Sequence, residues 1–145
     1  MKRLICTMGF PRSGKSTWVK DQNVPIVSPD AIRLAIHGQR FWGPAEKQVW
    51  ATADLMVKAL FNAGHETVIM DATNLTRKQR DQWQSEEWET VFHHVDTDQA
   101  ICESRALHDQ MPDLIDVIRR MVDEFEPLED DEVSLLEHEA KWMEK

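Results

Sequence analysis

The 145-residue sequence has no tyrosine, only two cysteines, and no apolar run longer than a handful of residues. A membrane-crossing helix needs about 20 consecutive apolar residues, so no spanning segment is expected. The stretch Met1-Lys2-Arg3-Leu4-Ile5-Cys6 has neither an extended apolar region nor a small-residue cleavage site, and no secretory signal is read. Cys6 and Cys102 permit one pairing and no metal-ligand spacing, so reduced thiols in a cytoplasmic protein are expected. Positive charge is also scarce, with 17 Lys/Arg against 26 Asp/Glu and a net charge of −9. Bulk affinity for nucleic acid comes from neutralising phosphates, so a general duplex-coating protein is excluded. An enzyme that grips a few phosphates is not.

The charge is unevenly spread. Residues 1–90 carry 12 Lys/Arg against 10 Asp/Glu, whereas residues 91–145 carry 5 against 16. A local basic cleft on an acidic body is therefore compatible with the composition. With 41% hydrophobic and 30% charged residues the chain reads as an ordinary soluble globule. Its length fits one domain, 1–145, able to bury a core without disulfide or metal staples.

Along the chain, short apolar runs alternate with helical patterns. Leu4-Ile5-Cys6-Thr7-Met8, stopped by Gly9, reads as a strand buried on both faces. A helix is expected over Lys15 to Gln22, then a strand over Val24 to Val27. Ser28-Pro29-Asp30 opens a second helix that runs to Gly38, with Ser28 as cap. Pro44 is expected to open the longest helix, whose apolar stripe is Val49, Ala53, Met56, Val57 and Leu60, with Gly64 as its stop. Thr67 to Met70 and Val91 to Val95 are further strands. Helices are expected over Thr76 to Glu86, from Asp96-Thr97 to about Leu107, and from Met111-Pro112-Asp113 onward. Residues 127–145 form an acidic extension, helix or extended segment, read as a solvated face. The alternation predicts an α/β three-layer sandwich around a mainly parallel, four-stranded sheet. The site belongs at the carboxyl ends of the strands.

Gly9-Phe10-Pro11-Arg12-Ser13-Gly14-Lys15-Ser16 matches the phosphate-loop pattern G-x-x-x-x-G-K-[ST], between a predicted strand and a predicted helix. Glycines let consecutive N–H groups wrap a phosphate, and the following helix start adds positive potential. Lys15 can reach the outer phosphates and Ser16 can ligate magnesium. Asp30, just past the second predicted strand, is either a helix cap or the base that takes the proton of an attacking hydroxyl. Arg33, one turn on, is either a solvated charge or a phosphate contact beside Asp30. Asp71 ends the third strand and is either a strand-end turn residue or a carboxylate that helps hold magnesium. Thr73-Asn74 cap the next helix or touch substrate.

On these residues the chain resembles the 5′-hydroxyl polynucleotide kinase family of P-loop phosphotransferases. The resemblance rests on Gly9 to Trp18, including Thr17, on Ser28-Pro29-Asp30-Ala31-Ile32-Arg33, and on Val68 to Thr76. Pro112 and Ile115 to Met121 extend it over about residues 1–125. It implies an ATP- and Mg2+-dependent kinase acting on a nucleic acid hydroxyl, the 5′ end of DNA or RNA. Asp30 would be the general base, Arg33 the contact to the neighbouring phosphate, and Asp71 a residue of the magnesium and substrate pocket, with Asn74 beside it. Gly9, Pro11, Arg12, Ser13, Gly14, Lys15, Ser16 and Thr17 would hold the ATP phosphates. Such kinases usually carry two spaced lid arginines. Arg105 fills one place, and the following turn, Ala106-Leu107-His108-Asp109, has none, so Arg12 is the expected substitute. Only the kinase activity is implied, without the phosphatase domain of the family's best-known members.

A hydroxymethylated base within DNA, a nucleoside or sugar acceptor, and a slow ATPase switch are the alternatives. Trp18, Trp50 and Trp83 fall on predicted helices and are expected in or near the core. Phe41 and Trp42, beside Arg40, either stack a nucleobase or clasp the following helix. His93 and His94 are adjacent on a strand, face opposite ways and read as structural. Arg77, Lys78 and Arg80 read as solvated.

Overall fold

The apolar run near the amino terminus becomes the middle of the sheet. In the computed structural model, which describes residues 1–39 and 43–143, β1 (Arg3–Met8) has five successive buried residues. It pairs in parallel with β3 (Thr67–Met70) on one side and β4 (Glu89–His94) on the other. A two-residue β2 (Ile26–Val27) pairs in parallel with β3, giving the order β2-β3-β1-β4. Every pairing is parallel, so the sheet is more uniform than expected. Central parallel strands are covered on both faces, which is why their residues are continuously apolar.

Alternate residues of β1 feed two packing groups. Leu4, Cys6 and Met8 join Val49, Ala53, Val57 and Phe61 of α3 (Glu46–Asn62), together with Trp83 and Trp88. Ile5 faces the other way, with Ile69 and Val91, onto Val19 of α1 (Lys15–Lys20) and Leu135 of α7 (Leu135–Met143). A third group joins α5 (Gln99–His108) to α6 (Asp113–Glu124) through Cys102, Ala106 and Ile118. Each fully buried apolar side chain stabilises by about 1.5–3 kcal/mol.

Helix starts and stops follow local chemistry. Ser28 caps α2 (Pro29–His37) through its hydroxyl, and Gly38 closes it at φ 69°. A short 3-10 turn (Gly43–Ala45) precedes α3, so Pro44 lies before the helix and not at its first turn. The helix expected over Thr76 to Glu86 is only α4 (Arg77–Asp81), started by a capping box between Thr76 and Gln79. Asp96-Thr97 do not cap α5, whose N-cap is Asp98. Arg40, Phe41 and Trp42 lie outside the described residues.

Two expectations about charge are overturned. Arg80 is fully buried, bonded to Glu132 at 2.7 and 3.1 Å and to the carbonyls of Asn74, Glu126 and Pro127. The acidic segment 126–132 is thus partly an internal clasp, since Arg77 also pairs with Glu129 and with Asp131 at 2.7 Å. Beyond it, the Phe92 N–H donates to the Val133 carbonyl at 3.0 Å, and α7 follows. That contact covers the outer edge of β4. Among the described residues no helix is long and apolar enough to cross a membrane.

Candidate active site

The carboxyl ends of β1, β3 and β4 converge on the glycine-rich turn. Gly9 leaves β1 at φ 156° and its N–H donates to Thr73. Arg12 adopts φ 67°, and Gly14, at φ 104°, is the N-cap of α1. Gly9 and Pro11 shape the loop, while Arg12, Ser13, Gly14, Lys15, Ser16 and Thr17 line a cavity of about 580 Å³ with Trp18, Asp21 and Arg105. The Lys15 ammonium donates to the carbonyls of Gly9 and Phe10 at 3.0 and 2.9 Å. Burial lowers its pKa, opposed by the negative fields of Asp71, Cys102 and Asp30. A cation so placed gains by meeting further negative charge.

Two threonines that carry no motif hold this arrangement together. The Thr7 hydroxyl donates to the Ala72 carbonyl at 2.8 Å and reaches the Asp71 carboxylate at 3.2 Å. The Thr97 hydroxyl donates to the Ser13 carbonyl at 2.6 Å, tying the loop to the segment after β4. Asn74 belongs to the same scaffold. It is only 2% exposed, adopts φ 45° and donates to the Thr7 carbonyl at 2.8 Å. Neither it nor Thr73 caps the next helix.

Asp71 is half-buried where β3 ends. Burial raises its pKa, with Lys15 and the Thr7 hydroxyl pulling the other way. Among the described residues no group of three His, Cys, Asp or Glu side chains could hold a metal ion. Magnesium takes one or two protein oxygens and leaves the rest to phosphates and water. The exposed Ser16 hydroxyl and the Asp71 carboxylate are the fitting donors here.

On the opposite flank, Asp30 projects from the first turn of α2 with its side chain 81% exposed. Its charge adds to the fields felt by both Lys15 and Asp71. Arg33, on the same helix face, donates to Asp30 at 2.7 Å. Its side chain is only 13% exposed because Glu46, the first residue of α3, grips it through Nε at 3.0 and 3.2 Å and through Nη2. The guanidinium also lies 5.7 Å from the Trp50 ring. Glu46 was invisible in the sequence, since nothing local pairs it with a residue 13 positions away.

Arg105 of α5 lies over the loop, its Nη1 donating to the Arg12 carbonyl at 3.1 Å. One turn further, Asp109 forms an ion pair with Arg12. The turn after Arg105, which the sequence shows to lack a second arginine, thus supplies a carboxylate that pairs with the loop's own arginine. Trp18 is half-buried, stacked on His93 with centroids 3.9 Å apart, while His94 packs near Phe125 at 5.5 Å. The two histidines point to opposite faces, and burial lowers the pKa of each.

A family model described as AAA domain matches residues 4–128. No curated protein matches the sequence. Among solved structures, a sugar kinase from Janibacter sp. HTCC2649 superposes with TM-score 0.65 at 21% identity, over 99% of this chain and 95% of that one. A gluconokinase from Sinorhizobium meliloti 1021 gives 0.59 at 20% identity, over 90% and 79%. These two are likenesses of fold. A chain of a Pnkp1/Rnl/Hen1 complex gives 0.63 at 27% identity over 72% of this chain, which spans only 39% of that one. The shared architecture is the P-loop kinase-like fold, a nucleotide-binding α/β sandwich.

Proposed function

We propose that this chain, which belongs to the AAA domain family, is an ATP-dependent phosphotransferase whose acceptor is an alcohol, foremost the 5′-hydroxyl end of a nucleic acid strand. The observation that carries this reading is Asp30. Its exposed carboxylate, fixed by Arg33, shares one electrostatic neighbourhood with Lys15 and Asp71 at the rim of the phosphate loop. A carboxylate so placed can take the proton of an alcohol or of water, and the acceptor assay separates the two.

The loop amides and Lys15 bind the β- and γ-phosphates, while Arg12 and Arg105 neutralise the oxygens of the transferring group. Ser16 and Asp71 would hold Mg2+, which supplies charge neutralisation on the phosphates. The acceptor oxygen bonds to the γ-phosphorus as the bridge to the β-phosphate breaks, and its proton passes to Asp30. The likeness to the Pnkp1 chain supports a nucleic acid acceptor. One observation favours a second reading, a small neutral polyol: Arg33 is already engaged by Glu46 and Asp30, so a substrate phosphate must compete for it.

Labelled ATP offered with oligonucleotides, DNA carrying hydroxymethylated bases, nucleosides and neutral sugars tests the assignment. Label on strand ends supports the first reading, and label confined to a polyol supports the second. Asp30→Asn is expected to lower transfer by roughly 10²–10⁴-fold with nucleotide binding retained. Near-normal transfer by that variant removes Asp30 as the base.

A further inference from the structure

Around the acceptor flank, the cations are nearly all committed. Arg33 is held by Glu46 and Asp30, Arg77 by Asp81, Glu129 and Asp131, and Arg80 is buried against Glu132. Lys78 is different: it is exposed on α4 and, among the described residues, makes no ion pair. It borders a groove of about 260 Å³ lined also by Trp50, Gln79 and Gln82. Trp50 is the residue on which the Arg33 guanidinium rests, 5.7 Å from the ring. The groove and the Arg33 guanidinium thus share Trp50.

Its polar groups are sorted as well. Gln79 Oε1 accepts from the N–H groups of Leu75 and Thr76 at 3.0 and 3.3 Å, which turns its amide nitrogen outward as a donor. Gln82 Nε2 donates to the Gln79 carbonyl at 3.0 Å, leaving its oxygen as an acceptor. An aromatic surface, an amide donor, an amide acceptor and one uncommitted ammonium together match a nucleobase joined to a phosphate. The volume lies below that of whole-ligand pockets, which suits a single base at the edge of a larger site. A neutral polyol at Asp30 would leave all four groups unused.

We infer that the Trp50–Lys78 groove is a subsite for the second nucleotide of a single strand whose 5′ end is presented to Asp30. The base stacks against Trp50 and Lys78 meets a backbone phosphate as a point charge. This rests on the phosphotransfer reading above and adds to it a place for the strand's second nucleotide.

The test offers the native protein ATP with thymidine, the trinucleotide d(TpTpT), or the same trinucleotide lacking its second base. The intact trinucleotide is expected to have a KM at least about tenfold below that of the abasic one, the worth of one stacked base. In Lys78→Ala, a change at an exposed position, the KM gap between trinucleotide and thymidine narrows several-fold. Equal KM for thymidine and for the trinucleotide, intact or abasic, overturns the subsite and leaves the phosphotransfer reading standing. Tryptophan fluorescence titrated with d(TpTpT) follows binding without transfer. A trinucleotide that binds more weakly to Lys78→Ala yet receives no phosphate keeps the groove and removes the phosphotransfer reading. Neither binding nor transfer removes both.

Discussion

On the nucleotide side the geometry is carried by backbone: Gly9 at φ 156°, Arg12 at φ 67°, Gly14 at φ 104°, and carbonyls taken by Lys15, Thr97 and Arg105. On the acceptor side it is carried by side chains that grip one another, Glu46 on Arg33 and Arg33 on Asp30. The nucleotide flank is thus built on eight consecutive residues braced from outside by Thr97 and Arg105, and the acceptor flank on pairs drawn from α2 and α3. A phosphate common to every nucleoside triphosphate can be met by a fixed cradle. An acceptor that differs between enzymes is met by the part that side-chain changes can rewrite without disturbing the cradle.

Arg12 is where this division is under most strain, since it stands in the loop but is steered by a side chain, Asp109. If Arg12 neutralises the transferring group, Arg12→Ala lowers turnover by roughly 10³-fold, the low end for an arginine in that role. Nucleotide affinity, set by the loop amides and Lys15, changes little. Single-turnover kinetics alongside equilibrium nucleotide binding separates the two quantities. An unchanged turnover removes Arg12 from the reaction and returns the nucleotide flank to backbone and Lys15, with Arg105 as its lid.

Gly9→Ala sharpens the contrast from the backbone side. A Cβ there would sit 2.7 Å from Ser13 Oγ and 3.0 Å from the Val95 carbonyl oxygen, at a φ that L-residues rarely adopt. Strain of about 1–3 kcal/mol on the cradle should weaken nucleotide binding by about ten- to hundredfold. Calorimetric titration with ATP reads it. Affinity within twofold of the native protein would mean that the cradle tolerates side chains and that backbone is not its determinant.

The same division decides what could be read from the sequence. The phosphate-loop motif, the Ser28 cap, and the places of Asp30 at a helix start and Asp71 at a strand end are legible because each depends on neighbours within a few positions. The sheet is legible because continuous apolar runs such as Leu4 to Met8 have one stable place. Glu46, Asp109, Thr7 and Thr97 were missed because their partners lie 13, 97, 65 and 84 positions away. Arg80 was read as solvated on charge alone. It is buried because segment 126–132 folds back to supply Glu132 and two carbonyls, a partner no local pattern announces.

Glu46→Gln carries the smallest expected effect and cuts most directly between acceptors. The substitution keeps the shape and an acceptor oxygen but removes the charge that binds Arg33. Charge-assisted hydrogen bonds contribute about 1.5–3 kcal/mol net, and losing part of that should loosen Asp30 enough to lower kcat roughly fivefold. For a neutral polyol, KM should stay put, since Arg33 is then only a strut for Asp30. For a strand end, the released guanidinium gains freedom to meet the adjoining phosphate, and KM should fall while kcat falls. Steady-state kinetics with each acceptor reads both parameters. A rise in oligonucleotide KM would show that Glu46 holds Arg33 in its phosphate-binding pose and does not compete for it, making the acceptor flank as preformed as the cradle opposite.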